Sequence, residues 1–195
     1  MIIPAKGAPA AKGRLAGVLS GDDRDHLAQA MLRVAVRAAC AAVGPAQVLV
    51  VGTVSQPLPV GVTLLDEPAG GLNGALTHAR VEALRRGASR VVSLAADLPH
   101  LERNDVLALV ALPDGVAGIA PDRHGTGTNA LSLSFPKASD FSYRYGLDSC
   151  PRHEAEAARL GMTMLRIERP ALACDIDEPS DLAEAQGLLC ATKDD

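Results

Sequence analysis

Residues 91–99 read Val91-Val92-Ser93-Leu94-Ala95-Ala96-Asp97-Leu98-Pro99, a run apolar but for Ser93 that stops on a carboxylate and a proline. Six residues bounded in this way suit a strand buried on both faces, the kind found in parallel sheets. Asp97 then stands at the carboxyl end of that strand. In open α/β sheets that edge is where ligands bind.

The flanking sequence supports the same architecture. Asn73 can cap a helix running to Arg86 and ended by Gly87, and a second helix is expected over 103–112. Met1 to Pro4, Val48 to Val51 and Val62 to Leu65 read as strands. Ser20, followed by Asp22 and Asp23, is a helix start, with Leu27, Met31, Val34 and Ala38 on one face and Gly44-Pro45 as the stop. Further strands are expected over 118–120, 130–134 and 162–167, and a closing helix over 180–189. Strands alternating with helices predict one three-layer α/β/α domain with a doubly wound, mostly parallel central sheet over residues 1–195. The alternation fails between Asp122 and Arg159, where a small hairpin excursion around 122–150 is expected to cover the site.

Composition narrows the function. A 195-residue chain buries about 70% of its unfolded surface and needs no staple. Two Phe, two Tyr and no Trp leave little for base stacking, and a net charge of −4 argues against a general nucleic-acid partner. Cys40, Cys150, Cys174 and Cys190 form no C-x-x-C pair and read as reduced thiols. The early Pro4 and Lys6 are unlike a signal peptide, and no apolar run approaches the roughly 20 residues of a membrane span. The expectation is a cytoplasmic protein with no membrane partner. Alanine-rich helices are compatible with a homodimer.

Two nucleotide motifs fail on context. The loop from Gly7 to Lys12-Gly13 has the wrong order for a phosphate-binding loop and lacks the following Ser or Thr. Gly125-Thr126-Gly127-Thr128-Asn129-Ala130 matches G-x-G-x-x-A but leads into the strand-like Leu131-Ser132-Leu133-Ser134.

The remaining candidates are charges at strand ends. Lys6, Lys12 and Arg14 follow the first strand, where Arg bonds phosphate bidentately and Lys acts as a point charge. Asp175 and Asp177, at i and i+2 of an extended segment, share a side and could join Asp97 around Mg²⁺. Each has an ordinary alternative: a solvated basic loop, a turn aspartate, and an acidic helix start over Asp177-Glu178-Pro179-Ser180-Asp181. Thr126, Thr128 and Gly146-Leu147-Asp148-Ser149 offer hydroxyls and amides, with a helix N-terminus near Ser149 facing a bound anion. His153 reads as a surface residue of that helix. His26, His78, His100 and His124 have no metal-ligand spacing.

Taken in order, Ile2-Ile3-Pro4-Ala5-Lys6, Lys12-Gly13-Arg14-Leu15, Leu72-Asn73, Ala96-Asp97-Leu98-Pro99, Gly125-Thr126-Gly127-Thr128-Asn129, Gly146-Leu147-Asp148-Ser149 and Cys174-Asp175-Ile176-Asp177 resemble the CofC/FbiD guanylyltransferases, within the MobA-like nucleotidyltransferases. The resemblance runs from Met1 to about Leu188. It implies transfer of a guanylyl group from GTP to phosphoenolpyruvate, 2-phospho-L-lactate or 3-phosphoglycerate, with release of pyrophosphate, in coenzyme F420 biosynthesis. It further implies Lys6, Lys12 and Arg14 at the GTP phosphates, and Asp97, Asp175 and Asp177 as ligands of Mg²⁺. Thr128, Gly146 and Ser149 would receive the acid, and Asn73 would lie near the guanine or ribose. Ala96 departs from the family's frequent glycine, and Cys150-Pro151 occupy a variable stretch. The Gly-rich, Arg-containing signature of molybdopterin and sugar-phosphate relatives is absent after the first strand.

Overall fold

A computed structural model describes residues 1–5 and 12–191. Lys6 lies outside them. Strands β1 (Ile2–Ala5), β2 (Leu49–Gly52), β3 (Thr63–Leu65), β4 (Arg90–Leu94), β5 (Val116–Pro121), β6 (Thr128–Ser134) and β7 (Thr163–Arg166) form one sheet, ordered β3-β2-β1-β4-β6-β5-β7. All neighbours are parallel except the pairs made by β6, which runs antiparallel to both β4 and β5.

Alternation along each strand builds two cores. Ile3, Val50, Val92 and Leu94 face one layer, with α1 (Gly21–Val43) and α3 (Arg103–Val110). Ile2, Leu49, Val51 and Val91 face the other, with α2 (Gly71–Arg85) and α4 (Ser149–Arg159). The chain closes with α5 (Pro170–Ala173), a 3₁₀ turn over Pro179–Ala185, and α6 (Gln186–Ala191). The α/β/α expectation holds.

Local chemistry explains the boundaries. Ser20 caps α1, its hydroxyl accepting the Asp23 amide at 3.1 Å. Gly52, at φ +124°, lies opposite Ala5, and a Cβ there would meet the Ala5 carbonyl oxygen at 1.9 Å. The helix expected over 180–189 is instead a 3₁₀ turn passing into α6. Its start is a capping box between Glu178 and Asp181, so the acidic helix start is real.

Two expectations need correction. The hairpin excursion is the β5–β6 hairpin itself, and it is built into the sheet. The segment after it, 135–148, has no regular structure yet its core is buried. Phe141 and Tyr143 alternate inward, and side chains from α2 and α4 satisfy the backbone. Arg80 donates to the Phe141 carbonyl, Glu156 accepts the Ser142 amide, and Asn73 bonds both backbone groups of Tyr145. Asn73 is therefore not a helix cap; Gly70 holds that position in α2.

Candidate active site

The chain order places a topological switch between β1 and β4. From β1 the chain moves outward to β2 and β3, then crosses to β4 on the other side. At the carboxyl ends of those two strands lies a cleft of about 470 Å³. Because β6 is antiparallel, its first residues, Thr128 and Asn129, reach the same edge as the last residues of β4. Lys12, Arg14, Asp97, Thr128, Gly146, Ser149, Asp175 and Asp177 all line this one cleft. They come from distant parts of the sequence, and the fold brings them together.

The charged end is anchored by a small apolar cluster. Leu15, Leu27, Met31, Ile176 and Ala185 pack together, all five with no exposed surface. Leu15 thereby fixes the turn carrying Lys12 and Arg14. Ile176 points inward between Asp175 and Asp177, leaving both carboxylates toward the cleft, as period-2 alternation requires. The Ile176 amide also donates to the Asp97 carbonyl at 3.2 Å, tying the two aspartate loops together. Arg123 reinforces them, donating to the Asp175 carbonyl at 3.0 Å and pairing with Asp181 at 3.2 Å. We expect Ile176→Ala to destabilise the fold by about 2–4 kcal/mol. Denaturant titration measures this, and a loss below about 1 kcal/mol would contradict the anchoring role.

Lys12 sits between two acids. Its Nζ donates to Asp97 Oδ2 at 2.5 Å and to Asp177 Oδ1 at 3.0 Å. Burial opposes the charge on Lys12, but the Asp97 and Asp177 carboxylates outweigh it and raise its pKa. The balance is reasonable: unit charges 3.0 Å apart attract by on the order of 5 kcal/mol at an effective dielectric of 20. Lys12 holds a left-handed backbone, φ 53° and ψ 45°, which is strained for a residue with a Cβ. Arg14 is mostly exposed, with its guanidinium 3.9 Å from Asp177. Burial, and then the Asp97 and Asp177 charges, push the Asp175 carboxyl above its ordinary value, against the Asn129 amide bond that lowers it. Three hard carboxylates, two of them already holding an ammonium cation, are a donor set suited to Mg²⁺.

The other end carries hydroxyls. Ser149 and Thr128 are buried hydroxyls 3.1 Å apart. Gly146 at φ 128° and Asp148 at φ 51° turn the chain into α4, a backbone path that favours glycine at 146. Tyr145 forms part of the wall, and burial followed by its neighbour Tyr143 pushes its phenol well above the ordinary pKa. Asn73 is one step removed: it clamps Tyr145 from behind.

His153, expected on the surface, is fully buried. Its spacing carried the signal, since Cys150, His153 and Ala157 share one buried face of α4. The other missed grouping is His100, Cys174 and Glu184, whose ligand atoms lie within 4.8 Å of one another. They come from separate segments, Glu184 from the 3₁₀ turn before α6, so no sequence spacing could reveal them. His100 and Glu184 form an exposed pair at 3.2 Å.

Solved nucleotidyltransferases share this architecture. An enzyme of that class from Methanothermobacter superposes with a TM-score of 0.63 at 14% identity, covering 98% of this chain and 99% of that one. The 2-C-methyl-D-erythritol 4-phosphate cytidylyltransferase of Thermus thermophilus gives 0.59 at 17%, covering 97% of each. Among curated proteins, the phosphoenolpyruvate guanylyltransferase of Conexibacter woesei is 38% identical, across 98% of this chain and 89% of its own length. That of Rubrobacter xylanophilus is 40% identical, across 95% and 93%. Fold, cleft and relatives together define a nucleotidyltransferase. No helix among the described residues is long and apolar enough to cross a membrane. The family described as "Guanylyl transferase CofC like" matches residues 1–188, and the chain belongs to it.

Proposed function

We propose that this protein transfers the guanylyl group of GTP to the phosphate of phosphoenolpyruvate, releasing pyrophosphate, with Mg²⁺ as cofactor. We assign this step to coenzyme F420 biosynthesis. The carrying observation is one cleft with two chemically different ends: Lys12, Arg14 and three aspartates at one, Thr128, Gly146 and Ser149 at the other. The first suits a polyphosphate with its metal; the second suits a small anion that needs neutral donors.

The chemistry follows from charge. A phosphate oxygen of the acid is the nucleophile, and a phosphomonoester with a second pKa near 6 is largely dianionic at pH 7. It attacks the α-phosphorus of GTP, forming a new P–O bond as the bond to the β-phosphate oxygen breaks, and pyrophosphate takes that electron pair. No proton need be removed, so the reaction asks for no histidine base in the cleft. Mg²⁺ bound by Asp97, Asp175 and Asp177 would supply Lewis-acid screening of the phosphate charges. Lys12 would release its carboxylates to meet phosphate oxygens, and Arg14, at the cleft mouth, would bond them bidentately. Thr128, through its hydroxyl, and Ser149, through its backbone amide at the start of α4, would hold the acid in line for attack.

The test is an end-point mass-spectrometric assay with GTP and Mg²⁺. Phosphoenolpyruvate, 2-phospho-L-lactate and 3-phosphoglycerate are supplied in separate reactions. A guanylylated product with phosphoenolpyruvate and matching pyrophosphate is expected. Product with a different acid alone would reassign the acceptor. No product with any acid, in a folded protein that binds GTP, would overturn the reading.

A further inference from the structure

His153 lies beneath the acid end of the cleft with both ring nitrogens engaged. The Arg144 backbone N–H donates to Nε2 at 2.9 Å. A nitrogen that accepts carries no hydrogen, so the single hydrogen of the neutral ring is on Nδ1. Nδ1 lies 3.0 Å from Thr128 Oγ1 and therefore donates to it. Burial, then the Arg152 and Arg144 charges, hold the His153 pKa down to about 4, with Glu156 pulling the other way. Phe141 stacks on the ring with centroids 6.0 Å apart, and Tyr145 meets its edge at 4.8 Å, so the ring cannot easily turn.

A threonine hydroxyl offers two lone pairs and one hydrogen. His153 occupies one lone pair. The Ser149 hydroxyl, 3.1 Å away, donates to the second. The hydrogen of Thr128 is then left for the cleft that Thr128 lines. An anionic oxygen accepts hydrogen bonds and donates none, so a hydroxyl turned the other way would present a lone pair and repel it.

We propose that His153 is a positioning residue that fixes the Thr128 hydroxyl as a hydrogen-bond donor to the acceptor acid's anionic oxygens. This rests on reading this end of the cleft as the acid's subsite. His153 itself touches neither substrate.

Steady-state kinetics of the full chain with Mg²⁺, GTP and phosphoenolpyruvate tests the assignment. In His153→Asn the amide nitrogen takes the place of Nδ1 and still donates to Thr128. In His153→Gln the amide reaches the Arg144 N–H but leaves Thr128 without its donor. His153→Gln should raise the KM for phosphoenolpyruvate about tenfold and leave that for GTP within about twofold. His153→Asn should bring the acid's KM back to within about threefold of wild type. Thr128→Val, which keeps the side chain's shape, should match the His153→Gln defect, and adding His153→Gln to it should have no further effect. Equal loss of both substrates in both His153 variants, or an unchanged acid KM in His153→Gln, would overturn the proposal. If His153→Gln does not fold, a normal acid KM in Thr128→Val overturns it instead. A wild-type chain that makes no guanylylated acid would bring down the underlying reading first, and this inference with it.

Discussion

Replacing Asp97 by Asn is expected to lower turnover by about 10²-fold or more while leaving the fold intact. The side chain keeps its shape and loses only its charge. The contact that ties this loop to the Asp175 loop uses the Asp97 backbone carbonyl, which the substitution does not touch. What changes is the charge facing the cleft, where Asp97 joins Asp175 and Asp177. Affinity for Mn²⁺, a spectroscopically visible substitute for Mg²⁺, should fall about tenfold or more in a variant whose circular dichroism spectrum remains that of the folded chain. Turnover near wild type at saturating Mg²⁺ would remove Asp97 from the metal-holding set.

Lys12→Met should also lower turnover by about 10²-fold, but with the opposite effect on metal. Met preserves the length of the stem and removes the ammonium group. That group bonds Asp97 and Asp177 at 2.5 and 3.0 Å, competing with any divalent ion for the same oxygens. Without it the carboxylates are free, and Mn²⁺ should bind as well as in wild type or more tightly. A Mn²⁺ titration followed by electron paramagnetic resonance separates the two variants. If Lys12→Met weakened the metal as Asp97→Asn does, Lys12 would be organising the carboxylates and not meeting phosphate.

Much of this is legible in the sequence because the signals are local. Val91 to Leu94 is apolar except for Ser93, and such a run states its own burial. Ser20 with Asp23 writes its own cap, and α1 starts where that pair says. Asp175 and Asp177 share a side because alternation is a property of the extended chain, and Ile176 between them is buried as that demands. The rest depends on partners far away in sequence. The turn Gly125-Thr126-Gly127 signals a hairpin, but nothing near Thr128 says that β6 will insert antiparallel beside β4, and that placement delivers Thr128 to the cleft. The segment 135–148 carries no hydrogen-bonding ladder of its own. Its backbone is satisfied by Asn73, Arg80, His153 and Glu156, from two helices that a reading by periodicity treats separately. Asn73 and His153 escape a local reading for the same reason: each serves a backbone that folds over it later.

The clustering of rings in that segment has a practical side. The chain has no tryptophan and only two tyrosines, Tyr143 and Tyr145, with ring centroids 6.1 Å apart beside the Thr128 end of the cleft. Tyrosine emission, and the tyrosine band of the near-ultraviolet ellipticity, therefore originate from this one pair of rings. Phosphoenolpyruvate has no aromatic ring and adds little background in that band. Because Tyr145 lines the cleft, binding of the proposed acceptor there should be readable as a change in native tyrosine signal, giving an unlabelled binding curve from the wild-type chain.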